Sequence, residues 1–244
     1  MTVKFIRVQD PSLAVSMYTT GTRAFVNDGL QEALFPPRLV DPSDPDEQHR
    51  VRIGALKKRL VAPNAWSIAA VDDDVKDEDG GVKVQGYAAW YGPETPAVGD
   101  DQPRQDEEEQ GWVEDGEGSL RGDGVKFPRC MDVKVYQRLK NIVNESKRML
   151  LGEPARPVWY LRSLAVDPDF SGRGLATQLV QWGIDRAKED NIPAFLESSP
   201  AALGLYKRLG FVVVEDLPPL DNGHVLTIMY MDPDTNRKIP SQAN

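Results

Sequence analysis

Gly172 and Gly174 stand one residue apart where a strand-like run gives way to helical periodicity, in the stretch AVDPDFSGRGLATQLVQWGIDRAKEDN from Ala165 to Asn191. Glycine at such a turn lets the backbone approach a ligand with no Cβ in the way. The first N–H groups of the helix that follows lack intrahelical partners and point out of its positive end. Together these features make an anion site suited to phosphate, and Arg173 between the glycines adds a charge-assisted contact. The helix is amphipathic, with Ala176, Leu179, Val180, Gly183, Ile184 and Ala187 on one apolar face. A Walker loop would need Gly-Lys-Ser/Thr, which is missing. A dinucleotide fingerprint would need a further glycine where Thr177 stands. On the glycines alone, a tight strand–helix turn and a phosphate cradle stand equally open.

Other chemistry is thinly represented. Cys130 is the single cysteine and His49 and His224 are the two histidines, with no Cys/His signature among them. Cys130 is therefore expected to be an ordinary thiol, with no internal disulfide and no metal site. The N-terminal MTVKFIRVQD carries no signal-peptide core, and no apolar run approaches the roughly 18–20 residues of a membrane span. A reducing, cytoplasmic setting without membrane contact is expected.

The net charge of −9 is local. Between Pro93 and Gly124 there are 11 acidic and 2 basic residues, which leaves 27 of each sign elsewhere. This segment is poor in apolar residues and rich in Pro, Gly and acid, so it reads as a mobile insertion, either plainly solvated or an arm for cationic partners. The balanced remainder offers no basic excess for nucleic acid.

Around the glycine turn, the pattern predicts an ordered series of elements. Val3–Val8 alternates as a strand. Asp10-Pro11 then opens a helix bearing Ala14, Met17, Tyr18, Gly21 and Phe25 on one face. Asp44-Pro45-Asp46-Glu47 offers a capping box for a second helix ending near Leu60. Trp66–Val71 and Val84–Tyr91 read as an antiparallel hairpin. Met131, Val135, Leu139, Ile142 and Met149 recur at helical spacing. Val158–Val166 is a near-continuous apolar strand, hence central in a sheet. A helix near Gly174–Asp190, a strand Ala194–Ser198, a helix Pro200–Leu209 and strands Phe211–Glu215 and His224–Met231 complete the series. The fold class predicted is α/β, with a mixed, mostly antiparallel central sheet flanked by helices. One domain over residues 1–231 is expected, followed by a polar tail from 232 to 244.

The run from Leu161 to Phe211 resembles the GNAT superfamily, the Gcn5-related N-acetyltransferases. SLAVDPDF followed by SGRGLA is similar to their acetyl-CoA motif, with Gly174-Leu175-Ala176 at the Gly-x-Gly/Ala core. AFLESSPAALGLYKRLGF, from Ala194 to Phe211, is similar to their second signature. Ser171 departs from the usual Arg or Gln. Ser199 departs from an Asn that bonds the pantetheine arm in many members; ahead of Pro200 it is equally suited to cap the next helix.

The resemblance implies a GNAT fold and transfer of an acetyl group from acetyl-CoA to an amine, without a metal. The cofactor contacts it implies fall on Leu164, Ala165, Val166, Ser171, Gly172, Arg173, Gly174, Leu175, Ala176, Thr177, Ser199 and Tyr206. A backbone N–H at a splay in the central strand, near Leu164–Val166, would stabilise the oxyanion. Tyr206 matches the tyrosine that serves as general acid, and core packing is its alternative role. Glu197 is the leading candidate base, with Asp132 a weaker one. Trp90 and Tyr91 would line the acceptor cleft or sit in the core. A small-molecule amine is the expected acceptor and a monomer or homodimer the expected state. The rivals are a peptide acetyltransferase and a non-catalytic acyl-CoA-binding module.

Overall fold

The computed structural model describes residues 2–77, 79–93, 113–114, 120–122, 125–152 and 156–234. In chain order the elements are β1 (Lys4–Val8), α1 (Ala14–Ala24), α2 (Gly29–Leu34), α3 (Glu47–Leu60), β2 (Ala65–Lys76), β3 (Val82–Tyr91), β4 (Val113–Glu114), β5 (Leu120–Gly122), β6 (Val125–Phe127), α4 (Val133–Leu151), β7 (Trp159–Val166), α5 (Leu175–Asp190), β8 (Ala194–Ser198), α6 (Leu203–Arg208), β9 (Val212–Asp216) and β10 (Thr227–Met231). Seven strands form one sheet in the order β1-β2-β3-β7-β8-β10-β9. Every pairing in it is antiparallel except that of β7 with β8. The mixed, mostly antiparallel α/β sheet expected from the sequence is therefore present.

The two faces of the sheet are covered differently. Trp90 and Leu161 pack with Leu179, Val180 and Ile184 of α5 on one face. On the other, Tyr87 and Ala165 pack with Met17 of α1 and Leu56 and Leu60 of α3, while Phe195 packs with Val143 and Leu150 of α4. A register shift between β2 and β3 near Val84 releases backbone groups that α1 recovers. The Val84 N–H donates to Ser16 Oγ at 2.8 Å, and Thr20 Oγ1 donates to the Val84 carbonyl at 2.5 Å. Each such buried bond is worth about 1 kcal/mol net, and more if one partner is lost.

Several local expectations are corrected. Asp46 precedes α3 without a side-chain capping bond, because Asp44 is drawn to Arg50 at 2.5 Å and Glu47 accepts from the Arg129 N–H. The short helix α2, capped by Asp28, was not read from the sequence. Met149 is 56% exposed; the buried stripe of α4 runs instead through Val143, Lys147, Leu150 and Leu151. The last helix begins at Leu203 behind Ala202, not at Pro200, so Ser199 is not its cap; the Ser199 carbonyl closes a turn by accepting from the Ala202 N–H at 3.1 Å. β4 and β5 pair within the acidic segment, where apolar and β-branched residues interrupt the acid run, and β5 also pairs with β6 just after it. Most of that segment, and residues 235–244 of the tail, lie outside the described residues, as does the mobility expected of them.

Helix α5 sits unusually close to the sheet. A Cβ on Gly183 would lie 2.1 Å from Cε2 of Trp90, a fully buried ring. Alanine in a helix interior normally gains up to about 1 kcal/mol over glycine. Here the ring cannot retreat, and overpacking costs of roughly 1–3 kcal/mol should outweigh that gain. Gly183→Ala should lower the urea midpoint, whereas Gly204→Ala, where the added carbon meets only the Arg208 guanidinium at 3.5 Å, should leave it nearly unchanged.

Candidate active site

The turn between β7 and α5 is built around Asp167, whose side chain is fully buried. Burial alone would raise its carboxyl, but bonds from the Asp169 N–H and Lys83, together with Arg23, hold it below the usual carboxylate range. Lys83 Nζ and Arg23 Nε both lie 3.1 Å from its Oδ2. The chain then passes through Gly172 at φ 74° and Gly174 at φ 76°. Both angles are left-handed, which disfavours any side chain. A Cβ at either position would meet nothing within 4 Å, so the backbone conformation, not crowding, calls for glycine. Gly174 precedes the first turn of α5 and supplies no side-chain cap. The N–H groups of Leu175, Ala176 and Thr177 therefore open at a positive helix end beside bare backbone. Ser171 and Arg173 are exposed beside it, with the Arg173 guanidinium resting on the Phe170 ring and donating to the Asp169 carbonyl at 3.2 Å.

The second feature lies in the sheet. β7 and β8 pair only over Trp159↔Ala194, Tyr160↔Phe195 and Leu161↔Leu196, although β7 continues to Val166 and β8 to Ser198. Beyond Leu161 the two strands part. Among the described residues, the edge of β7 from Ser163 to Val166, which includes Leu164, Ala165 and Val166, thus has no strand paired with it on that side. On its other side β7 stays bonded to β3, with a bulge at Arg162 between the pairs Trp90↔Leu161 and Ala89↔Ser163. A strand edge opened inside a sheet can pair with an extended, amide-containing ligand.

Side chains that can move protons flank the gap. Glu197, 12% exposed, accepts a hydrogen bond from the Tyr160 hydroxyl at 2.8 Å through Oε2. Its Oε1 is buried and has no hydrogen-bond partner among the described residues, with Lys147 Nζ 3.8 Å away. The Lys147 ammonium lies 3.4 Å from the centre of the Tyr160 ring. Burial pushes Lys147 down to about 8; Glu197 opposes the shift and Arg162 adds to it. Burial, then the Glu197 carboxylate, pushes the Tyr206 phenol well up, so it stays protonated at neutral pH. Tyr206 lies against Phe211 on the α5 side of the sheet, and Glu197 is on the α4 side with Phe195.

The expected residues fall at these places: Ser171 to Thr177 at the turn into α5, Leu164–Val166 on β7 beyond its pairing with β8, Glu197 on β8, Tyr206 on α6 against Phe211, and Ser199 just beyond the end of β8. Asp132 stands apart: it caps α4 through the Val135 N–H and pairs with Arg38 at 2.7 Å. Cys130 is buried, and burial with Glu47 raises its thiol. Trp90 is core, whereas Tyr91 stacks on Tyr160 with ring centres 6.2 Å apart. Lys147, Tyr160 and Asp167 were not read from the sequence. The available signal for Lys147 was a cation on the apolar stripe of α4, in step with Val143, Leu150 and Leu151. Among the described residues, no group of three or more His, Cys, Asp or Glu side chains is arranged to hold a metal ion.

Residues 140–211 match the family model described as Acetyltransferase (GNAT) family, a span that holds the central strand, the cradle and the Tyr206 helix. Among solved structures, a Corynebacterium glutamicum protein described as histone acetyltransferase HPA2 and related acetyltransferase shares the fold at TM-score 0.54 and 20% identity, over 96% of this chain and 98% of that one. Arabidopsis thaliana NAA60 in complex with acetyl-CoA is similar at TM-score 0.48 and 13% identity, over 97% and 100%. An acetyltransferase of the GNAT family from Streptococcus pneumoniae gives 0.47 and 12%, over 95% and 99%. Residues 140–211 are thus similar to the GNAT acetyltransferase family, whose members are acyltransferases, and the fold is shared with a described acetyltransferase.

The shift of Lys147 has a pH signature. Between about 8 and the ordinary 10.5 the unfolded chain binds the Lys147 proton more tightly than the folded one, so stability rises with pH across that window. The unfavourable contribution is fully present below pH 8. Above about pH 10 the raised phenols of Tyr160 and Tyr206 act in the opposite sense. Urea titrations from pH 7 to 10 should give wild type a more positive slope of unfolding free energy than Lys147→Met. Equal slopes would mean that Lys147 titrates normally.

Proposed function

We propose that the protein transfers the acetyl group of acetyl-CoA to the primary amine of a small molecule, by direct attack in a ternary complex. The observation that carries this reading is the parting of β7 from β8 between an uncapped helix N-terminus and a facing tyrosine and carboxylate. The fit to acetyl-CoA rests on the same features. The N–H groups of Gly172 to Thr177 suit a pyrophosphate, and the edge Ser163–Val166 suits the two amides of a pantetheine arm. When bound, acetyl-CoA supplies an acyl thioester whose carbonyl carbon an amine attacks and whose sulfur departs as a thiolate.

This chain's residues supply the rest. A backbone N–H within Leu164–Val166 donates to the carbonyl oxygen as charge grows there. Glu197 Oε1, buried and lacking a hydrogen-bond donor, takes the proton of the incoming ammonium. The Tyr160 hydroxyl and Lys147 hold that carboxylate in place. Tyr206, kept protonated by its burial, gives a proton to the departing sulfur. Leu175 and Phe170, both buried, anchor the start of α5, so the cradle keeps its aim.

Saturating acetyl-CoA, at about 100 times its dissociation constant, should add roughly 2.7 kcal/mol of stability and raise Tm by several degrees, with ATP and NAD as controls. An equal shift with ATP would remove the acetyl-CoA assignment. Thiol release with a panel of small amines should follow, and Tyr206→Phe should lower kcat on the order of 10²-fold while the acetyl-CoA shift persists. Turnover of peptides alone would make the protein a peptide acetyltransferase. A thermal shift with no turnover of either would make it an acyl-CoA-binding module.

A further inference from the structure

The turn that carries the cradle has little stiffness of its own. Between the end of β7 at Val166 and the start of α5 at Leu175 lie residues 167–174, which include the two left-handed glycines. Glycine loses more conformational freedom on ordering than any other residue, so the shape of this turn must come from what its other side chains grip. Asp167 and Asp169 grip two cations from distant elements. Lys83 of β3 and Arg23 in the last turn of α1 each place a nitrogen 3.1 Å from Asp167 Oδ2. Arg23 spans both carboxylates: its Nε donates to Asp167, and its Nη2 donates to Asp169 Oδ2 at 2.8 Å. The other oxygen of Asp167 accepts from the Asp169 N–H at 3.0 Å and caps the single helical turn Pro168–Phe170.

The grip is passed on toward the cradle. The Asp169 carbonyl accepts from Arg173, the cation that stands between the two glycines. Phe170 has the Lys83 ammonium 5.1 Å and the Arg173 guanidinium 4.9 Å from its ring centre, and it packs with Ala70 and with Leu175, the first residue of α5. Behind the turn, α1 is fixed to β3 by the bonds of Ser16 and Thr20 to Val84, the residue next to Lys83. Both cations therefore enter from one frame.

Magnitudes put Asp167 at the centre of this strap. Arg23 is 44% and Asp169 64% exposed, and a pair so wetted holds little by itself. Asp167 is fully buried, and a buried carboxylate deprived of a donor is an uncompensated charge that the turn must shift to solvate. The four groups carry two charges of each sign, so what they offer an anionic ligand is placement rather than net attraction. Resting on the acetyl-CoA reading of this turn, we propose that Arg23 and Lys83 are positioning residues for the cosubstrate: through Asp167 and Asp169 they set the N–H groups of Gly172 to Thr177 and the Arg173 side chain where the pyrophosphate is received. Both act through the turn and not by contact with the ligand.

Calorimetric titration with acetyl-CoA tests this on wild type, Arg23→Gln, Arg23→Lys and Lys83→Met. Far below Tm nearly every molecule is folded, so a change in global stability leaves Kd where it was and only an altered site moves it. Arg23→Gln and Lys83→Met should raise Kd roughly ten- to a hundredfold. Arg23→Lys, which keeps the charge but not the fork that spans two carboxylates, should recover part of the loss. Lys4→Gln, which removes the exposed pair with Asp73, should bind as wild type does. Asp167→Asn separates placement from charge: removal of a negative charge alone would tighten the binding of an anion, whereas loss of the strap weakens it. The Arg23 variants, altered at a half-exposed side chain, keep the test open if Asp167→Asn does not fold. An unchanged Kd in Arg23→Gln or Lys83→Met, or tighter binding by Asp167→Asn, would overturn the inference.

A second arm needs no ligand. Amide hydrogen exchange across residues 169–177 should be faster in Arg23→Gln than in wild type, with the later turns of α5 unchanged. If wild type binds no acetyl-CoA and this difference is still found, the acetyl-CoA reading fails while the strap still shapes the turn. If wild type and the variants bind acetyl-CoA equally, the positioning role fails and the acetyl-CoA reading stands.

Discussion

Backbone amides inside a folded sheet must find partners, and where the pairing of β7 with β8 ends, the edge of β7 from Ser163 to Val166 has no paired strand on that side among the described residues. The rest of the molecule is arranged around that opening. The antiparallel pairing of β3 with β7 continues past it and keeps β7 straight enough to present an edge. The parallel contact of three residue pairs sets where the opening starts. Because β7 leads directly into the turn held by Asp167, the same strand that opens the gap also aims the N-terminus of α5. The opening in the sheet and the positive end of α5 are thus tied to one element.

The second organising element is the charged group behind the gap. Lys147 is buried, yet its surroundings are not simply apolar: a carboxylate stands 3.8 Å away and two aromatic faces lie within 5 Å. Cation–π contact and partial pairing offset the loss of water, though not fully, as its depressed titration records. Tyr160 couples this arrangement to the sheet by offering its ring to the lysine and its hydroxyl to Glu197. A side chain that serves two charged partners at once can be replaced by neither phenylalanine nor glutamine without loss.

Much of this was legible in the residues. Helix α5 was read as Gly174–Asp190 and spans Leu175–Asp190, because its apolar period is unbroken and both its ends carry left-handed residues, Gly174 and Asn191. The strands β7 and β8 and the glycine turn between β7 and α5 follow from the same kind of local pattern. What the residues did not disclose depends on distant partners. Ser199 before Pro200 has the composition of a cap, but its carbonyl is used in a turn and α6 starts later. Glu47 could have closed a capping box, but Arg129, far along the chain, takes it. Met149 is apolar and in phase with Met131 and Ile142, yet α4 turns Lys147 inward and leaves the methionine in water. Periodicity ranks faces by hydrophobicity, and a face built for charge chemistry is the one it ranks wrongly.

The sheet also sorts its aromatic residues by kind. Trp66, Trp159 and Trp182 form a mutual cluster with ring centres about 6 Å apart, and Trp90 lies beneath α5 on the same side. Tyr87, Tyr91 and Tyr160 occupy the other side. The four described tryptophans therefore form an optical probe of the α5 layer, while Tyr87, Tyr91 and Tyr160 belong to the layer of α1, α3 and α4 and Tyr206 stays on the α5 side. Selective excitation at long wavelength would report chiefly on the α5 layer within a single unlabelled chain.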